Sequence, residues 1–189
     1  MMLLRMREAG FEGDGVQLGP LTLDLPGGEY ATSVFADPRH AAIAARLAAG
    51  IVKATYGSVS IDAFDPRVQP AHCKRIAAFV PHDPLPPGEF DFERYVAYRA
   101  ALWDVDPIRA IAHAKLLLER LDGVHEAFAY PLAGALVSNP KLLVLDRPAA
   151  AYAPQILAAA GPRAIFSTHC GERDAAAFLP QISYGALLV

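Results

Sequence analysis

Charged and imidazole side chains occur at two junctions where a predicted element begins or ends. Arg39 and His40 stand at the start of an alanine-rich segment that we predict to be a helix. Because the N-terminus of a helix attracts negative charge, these two side chains could bind an anion there. Asp146 and Arg147 directly follow an apolar run, at the end of a predicted strand. Asp146 could be a functional carboxylate, but a strand-end carboxylate paired with Arg147 is the interpretation that we favour.

The composition excludes several classes of protein. The chain of 189 residues has 17 Lys and Arg against 20 Asp and Glu, so its net charge is −3, and no basic run favours nucleic acid. Although 53% of the residues are hydrophobic, no apolar run reaches the roughly 20 residues that cross a bilayer. Cys73 and Cys170 form no metal-binding or disulfide pattern. We therefore expect a globular protein of a reducing cytoplasm, without a metal site.

The first half of the chain reads as β-structure interrupted by one helix. Arg39–Ala49 is predicted to be a helix that stops at Gly50. The predicted strands of this half are Leu3–Arg7, Leu21–Leu25, Tyr30–Phe35, Gly57–Ile61 and Arg75–Val80. The first two alternate in polarity and are typical of an antiparallel, half-buried sheet, whereas Tyr30–Phe35 is typical of a parallel core strand.

The second half alternates between helices and strands. The predicted helices are Phe92–Leu102, Pro107–Leu121, Ala127–Ser138 and Ala149–Ala160. The predicted strands are Lys141–Leu145, Ala164–Ser167 and Ile182–Val189. A β-rich start followed by alternating α and β segments predicts an α/β fold with a largely parallel core sheet.

In this order the segments resemble the ATP-binding-cassette (ABC) ATPase domain across almost the whole chain. The segments that carry the resemblance are Gly28-Glu29, Tyr56–Asp65, Arg75–His82, Phe90–Leu102, Asn139–Pro148 and Phe166–His169. The resemblance implies one ABC-ATPase-like domain over residues 1–189. It also implies a mainly parallel core sheet, an N-terminal antiparallel β portion and a shortened helical insert over residues 83–138.

The segment that corresponds to the family's phosphate-binding Walker A loop departs from its pattern GxxxxGK[ST]. In register, the loop reads Phe35–Ile43 and lacks every glycine. Ala41 stands at the position of the lysine, and Ala42 stands at the position of the hydroxyl that ligates Mg²⁺. Pro38 has no N–H to donate, and Asp37 would repel phosphate. We favour the interpretation of this segment as a loop that caps a helix.

Other motifs of the family are altered as well. Arg147 replaces the catalytic glutamate, and a cation cannot act as a general base. His82 replaces a glutamine, and only the segment 122–131 remains where the LSGGQ signature would lie. His169 keeps the family's identity, but a buried histidine with its hydrogen bonds satisfied is the interpretation that we favour. Phe11 could stack on adenine, although a single aromatic at a strand end is more often part of a core.

These departures predict a catalytically inactive subunit that binds a membrane-embedded partner and lies in the cytoplasm, peripherally at the inner face of the membrane. A second or intact ABC ATPase subunit is a further possible partner, as a heterodimer or homodimer. The expected docking residues belong to the helical insert and its leading loop, namely Glu89, Phe90, Phe92 and Arg94. The alternative is that these aromatic side chains seal the insert onto the core.

A second hypothesis is a regulatory subunit that binds ATP without efficient hydrolysis. It would use Arg39, His40 and Asp146, and only under this hypothesis would ATP and Mg²⁺ be cofactors. An active ATPase is the least favoured interpretation, because each altered group serves a distinct role and no replacement is visible.

Overall fold

The computed structural model describes residues 2–83 and 91–178, which form one antiparallel and one parallel sheet. The antiparallel sheet has the order β2-β1-β4, with strands β1 (Met2–Gly13), β2 (Val16–Pro26) and β4 (Tyr56–Ile61). The parallel sheet has the order β3-β7-β6-β5, with strands β3 (Tyr30–Val34), β5 (Ala77–Val80), β6 (Leu142–Asp146) and β7 (Ala164–His169). The predicted antiparallel start and parallel core sheet are confirmed.

The two sheets differ in burial, as their sequence patterns predict. In β1, Leu4 and Met6 are buried, whereas Arg5 and Arg7 face solvent and bind Asp24 of β2 at 3.2 and 2.6 Å. Every residue of β6 and β7 is buried. A parallel strand that is covered on both faces needs a continuous apolar run, which explains the difference in pattern.

Seven α-helices and one 3₁₀ turn surround the strands within the described ranges. The α-helices are α1 (Pro38–Ala48), α2 (Pro70–Ile76), α3 (Phe92–Leu102), α4 (Pro107–Arg120), α5 (Glu126–Leu136), α6 (Ala153–Ala160) and α7 (Glu172–Ala176). The 3₁₀ turn is Ala150–Tyr152. Asp37, Asp91 and Asp106 cap α1, α3 and α4, because their carboxylates accept backbone N–H groups of the first turn. Gly50, with φ of 68°, follows the end of α1.

The parallel sheet separates two hydrophobic clusters. Leu142 and Val144 of β6 point into a cluster that also contains α1 and the antiparallel sheet. The alternate residues Leu143 and Leu145 point into a second cluster that contains α5 and α6. A smaller third cluster joins α3, α4 and the end of α5, where Val96 and Ala114 are fully buried. The helices α3–α5 therefore have a small core of their own beside β5.

The structure differs from the predicted elements at β5, α2 and α7. The predicted strand Arg75–Val80 begins only at Ala77, because Arg75 and Ile76 belong to α2. The sequence analysis missed α2 and α7, which have seven and five residues, because such short helices give almost no periodic signal. The predicted strand Ile182–Val189 lies outside the described residues. No helix within those residues combines the length and the apolar character needed to cross a bilayer.

Candidate functional site

The carboxyl ends of the parallel strands meet at one edge of the sheet and form an open cleft of about 380 Å³. The cleft is lined by Pro38, His82, Arg147, Pro148, Ala149, His169, Cys170 and Asp174. This edge is where open α/β sheets usually bind ligands. Three of the residues selected from the sequence, His82, Arg147 and His169, come together here.

Asp146 is the buried carboxylate of this edge, with 3% of its surface exposed. The guanidinium of Arg147 binds it through two contacts, Nε to Oδ1 at 2.8 Å and Nη2 to Oδ2 at 3.2 Å. The hydroxyl of Thr168 donates to the same carboxylate at 3.4 Å. The hydrogen bond to Asp146 raises the pKa of Arg147 above its ordinary value, although burial acts against it. The two neighbouring charges therefore neutralise each other.

The backbone of Arg147 is held in the left-handed region, with φ of 46°. A non-glycine residue adopts this conformation only where its surroundings hold it there. Its N–H donates to the carbonyl of Thr168 at 2.9 Å. Its own carbonyl accepts a hydrogen bond from Nδ1 of His82, also at 2.9 Å. The hydrogen bond from the exposed His82 thus stabilises the backbone conformation of Arg147 at the edge of the cleft.

His169 is the buried histidine of the cleft wall, with 1% of its surface exposed. Its Nε2 lies 2.9 Å from the hydroxyl of Ser167, and its ring packs against Phe178 with a centroid distance of 5.3 Å. Burial lowers the pKa of His169 to about 4, whereas the charge of Asp174 acts in the opposite direction. His169 is therefore a neutral hydrogen-bonding group at physiological pH.

The start of α1 contributes Pro38 to the cleft lining. The carboxylate of Asp37 accepts the N–H of Arg39 at 2.8 Å and also binds the guanidinium of Arg39 at 2.8 Å. The hydrogen bond from the Arg39 side chain lowers the pKa of Asp37 to about 2. His40 is half-buried, and Ala41 is fully buried in the core cluster around α1. The sequence-selected pair Arg39 and His40 is thus adjacent to the cleft, but Arg39 binds the helix's own capping residue.

Two sequence-selected aromatic residues lie away from the cleft. Phe11 pairs with Leu18 in the antiparallel sheet and packs, half-buried, against the core. It is not among the residues that line the cleft. Phe92 is half-buried, packs against two hydrophobic clusters, and lies 4.7 Å from the ring of Tyr130. Its position agrees with the alternative that it seals the insert onto the core.

Of the three other expected docking residues, Arg94 lies within the part of the chain that the structure describes. Arg94 is exposed on α3, where its backbone N–H donates to Asp91 at 2.8 Å. Glu89 and Phe90 lie outside the described residues.

Two polar residues of the cleft, Cys170 and Asp174, were not among the site residues predicted from the sequence. Cys170 directly follows His169 and is exposed, so its place after a core strand was a usable signal. Asp174 belongs to the short α7, which the sequence did not predict. Across the described ranges, no group of three or more His, Cys, Asp or Glu side chains is placed to hold a metal ion.

Comparison with known proteins identifies the fold. No protein-family model and no curated protein sequence matches the chain. Solved structures do match it. An ATP-binding subunit of an ABC transporter is 17% identical, with a TM-score of 0.71 over 88% of this chain and 79% of the other. The cbiO1 protein of Clostridium perfringens, part of the ABC transporter complex cbiONQ, is 18% identical, with a TM-score of 0.67 over 89% and 78%.

A dimeric bacterial ABC transporter cassette gives a TM-score of 0.74 at 12% identity, over 93% of this chain and 91% of that one. The matched structures agree with the arrangement of an antiparallel sheet beside a parallel core sheet and a group of helices. The chain therefore has the fold of an ABC transporter ATP-binding cassette, an ABC-type variant of the P-loop NTPase fold.

Proposed function

We propose that this protein is a catalytically inactive ABC-ATPase-like subunit that acts as a structural or regulatory partner of a membrane transporter or a related membrane complex. The observation that carries the proposal is the ion pair at the end of β6. The carboxylate of Asp146 would be needed for a metal-bound nucleotide, and the guanidinium of Arg147 already binds both of its oxygens. A cation in that place repels a divalent metal ion.

The connection between β3 and α1 supports the same conclusion. It consists only of residues 35–37, since β3 ends at Val34 and α1 begins at Pro38. A phosphate-binding loop needs several free backbone N–H groups that point at one anion. Here Pro38 has no N–H, and the N–H of Arg39 is bound by Asp37 at 2.8 Å. The negative charge of Asp37 adds repulsion, so this helix start does not fit a nucleotide phosphate.

The burial of the Ala41 side chain also supports the proposal. That side chain is fully buried among the alanines and leucine of α1 that face the core. Neither Ala41 nor the adjacent Ala42 can neutralise a phosphate or bind a metal ion. The residues at this edge therefore do not fit Mg²⁺ with ATP, and we derive no reaction step from them.

The second candidate function is a regulatory subunit that binds ATP without efficient hydrolysis. It is favoured by one observation, the open cleft of about 380 Å³ beside Arg147 and His169. It is disfavoured by the pairing of its expected ligands, because Arg39 binds Asp37 and Asp146 binds Arg147. We therefore keep it as the alternative.

The partner proposal rests on the fold and on the surface of the helices α3 and α4. One structural neighbour belongs to a transporter complex and another is a dimer, which favours a membrane-embedded subunit or a second cassette as partner. Four large apolar side chains of α3 and α4 are more than half exposed, namely Tyr98, Leu102, Ile108 and Leu116. Such side chains are suited to an interface. In this proposal the chain is cytoplasmic and peripheral at the inner face of the membrane.

The first experiment measures ATP hydrolysis by the purified chain, alone and with membranes from its source. We expect no turnover above background at any Mg²⁺ concentration. Nuclear magnetic resonance titration with Mg-ATP provides the binding readout, and no saturable shifts are expected for residues 35–42. Turnover that disappears in an Asp146→Ala variant would contradict the inactive-subunit proposal. Saturable shifts at residues 35–42 without turnover would establish the alternative.

The second experiment tests the partner. Tagged chain is co-purified with detergent-solubilised membranes, and the variants Phe90→Asp and Leu116→Asp are compared with Val68→Asp. Val68 is a matched control, because it is 75% exposed but lies outside the insert. We expect the two insert variants to lose the membrane partner at an unchanged melting temperature, and the control to retain it. Retention by both insert variants would rule out docking through this surface.

A further inference from the structure

A second cleft, of about 410 Å³, lies at the opposite edge of the parallel sheet, where the strands begin. It is lined by Leu3, Gly27, Gly28, Asn139, Pro140, Lys141, Pro162 and Arg163. Leu3 belongs to β1, and the other residues come from the turn before β3, the segment before β6 and the turn before β7. The cleft is therefore separated from the first one by the length of the strands.

Arg163 is the central cation of this cleft, and its three hydrogen-bond partners are neutral. Nε donates to the carbonyl of Pro140 at 3.0 Å, Nη1 to that of Ala160 at 2.5 Å, and Nη2 to Oδ1 of Asn139 at 2.8 Å. Across residues 2–83 and 91–178, no carboxylate lies within ion-pair distance of its guanidinium. A guanidinium has five N–H groups, so two of them remain available to a ligand.

Arg163 is a half-buried cation without a carboxylate partner among the described residues. Burial lowers the pKa of Arg163, and no carboxylate among its described neighbours acts against this effect. The pKa of His113 on α4 is lowered by burial and further by the charges of Arg163 and Arg120. A half-buried cation without a counterion is costly. An anion in the cleft would offset that cost.

The cleft holds further donors, beside backbone acceptors such as the carbonyl of Pro162. The ammonium of Lys141 is 60% exposed and binds Asp62 at 2.7 Å. The amide oxygen of Asn139 is used by Arg163, so its NH₂ group is left to donate. The N–H groups of Gly27 and Gly28 have no acceptor within the described part of the chain, and Gly28 adopts φ of 79°, which favours glycine. The carboxylate of Asp62 partly neutralises the charge of these donors through its ion pair with Lys141.

We propose that this cleft binds a small organic phosphate. The phosphate oxygens accept hydrogen bonds from the guanidinium of Arg163, the ammonium of Lys141 and the amide of Asn139. Planar guanidinium groups bind phosphate through paired N–H groups, which suits the two that Arg163 retains. The organic part packs against the apolar side chains of Leu3, Pro140 and Pro162. This site is independent of the inactive-subunit proposal, since it shares no residue with the first cleft.

Phenyl phosphate is a suitable probe, because it combines a phosphate dianion with an apolar ring. We expect saturable binding by calorimetry, and nuclear magnetic resonance shifts at Gly27, Gly28, Asn139 and Lys141 but not at residues 36–40. Arg163→Gln is expected to weaken binding by at least about tenfold, because a hydrogen bond to a charged group is lost. Lys141→Gln is expected to weaken binding by about threefold, because the charge that it removes is exposed to solvent. Phenol is expected not to bind.

Lys74→Gln is the matched control, because Lys74 is an exposed lysine on α2 outside the cleft. Since Arg163 also holds three backbone and side-chain acceptors in place, circular dichroism must show that Arg163→Gln folds. If it does not fold, Lys141→Gln remains a decisive variant. Absence of saturable binding by the folded wild-type chain would overturn the proposal. So would shifts centred on His82 and Arg147, unchanged affinity in every folded variant of the cleft, or equal affinity for inorganic phosphate.

Discussion

The two edges of the parallel sheet both carry arginine side chains but use them differently. At the carboxyl edge, Arg147 binds Asp146 and Arg39 binds Asp37, so each cation neutralises a carboxylate one or two residues away. At the amino edge, Arg163 binds only carbonyl and amide oxygens. We therefore expect a charged ligand to bind beside a guanidinium that lacks a carboxylate partner among the described residues, which is true of Arg163 but not of Arg39 or Arg147.

The variant with the largest expected loss of stability breaks the ion pair at the carboxyl edge. Arg147→Met leaves the buried carboxylate of Asp146 without a counterion, so we expect the free energy of unfolding to fall by about 3 kcal/mol. Urea denaturation measures it. The double variant Asp146→Asn with Arg147→Met removes both charges and should recover most of the loss. If Arg147→Met alone is as stable as the wild type, Asp146 is not held by this pair.

The second prediction concerns the pH dependence of stability that His169, at the same edge, should cause. The folded pKa of His169 is about 4, below the ordinary value of about 6.5. Between these values the unfolded chain binds the proton more tightly than the folded chain does. Stability is therefore complete above pH 6.5 and falls as pH decreases towards 4, by as much as about 3 kcal/mol.

His169→Gln isolates this contribution, because its amide can still bond to Ser167 but does not titrate. Denaturation curves from pH 7 to pH 4 should be flatter for this variant than for the wild type. His113→Gln is the comparison variant. The pKa of His113 is also lowered, but its side chain is exposed, so this variant should flatten the curve less than His169→Gln does. Equal pH dependence in the wild type and in His169→Gln would show that His169 does not cause the loss.

The smallest expected loss of stability is at the amino edge. Lys141→Gln removes an ion pair with Asp62 in which the lysine is 60% exposed and the carboxylate 10% exposed. Because one partner is in solvent, urea denaturation should show a loss near the upper end for exposed pairs, about 1 kcal/mol. The same variant should lose affinity for phenyl phosphate. A stability loss as large as that of Arg147→Met would show that both edges hold their charges for structure alone.

Much of the fold was predictable from the sequence. The continuous apolar runs at 141–145 and 164–167 predicted parallel core strands, and the run at 92–102 predicted α3 with its observed bounds. Apolar burial dominates the two strands, and a one-dimensional pattern reports burial well. In α3 only Val96 and Ala100 are buried, and its start is marked instead by the capping residue Asp91. The short helices α2 and α7 were missed, because tertiary contacts rather than periodicity define them.

The sequence by itself determined which side chains stand at the strand ends, including Asp146, Arg147 and His169. It also suggested that Asp146 and Arg147 are paired, since neighbouring opposite charges at a strand end can reach each other. Only the tertiary structure decided that His82 holds the carbonyl of Arg147 and that Phe92 packs into the core. It also decided that the Arg163 side chain meets only neutral oxygens. The physical reason is that such partners are set by how strands and helices pack, which brings together residues far apart in the chain.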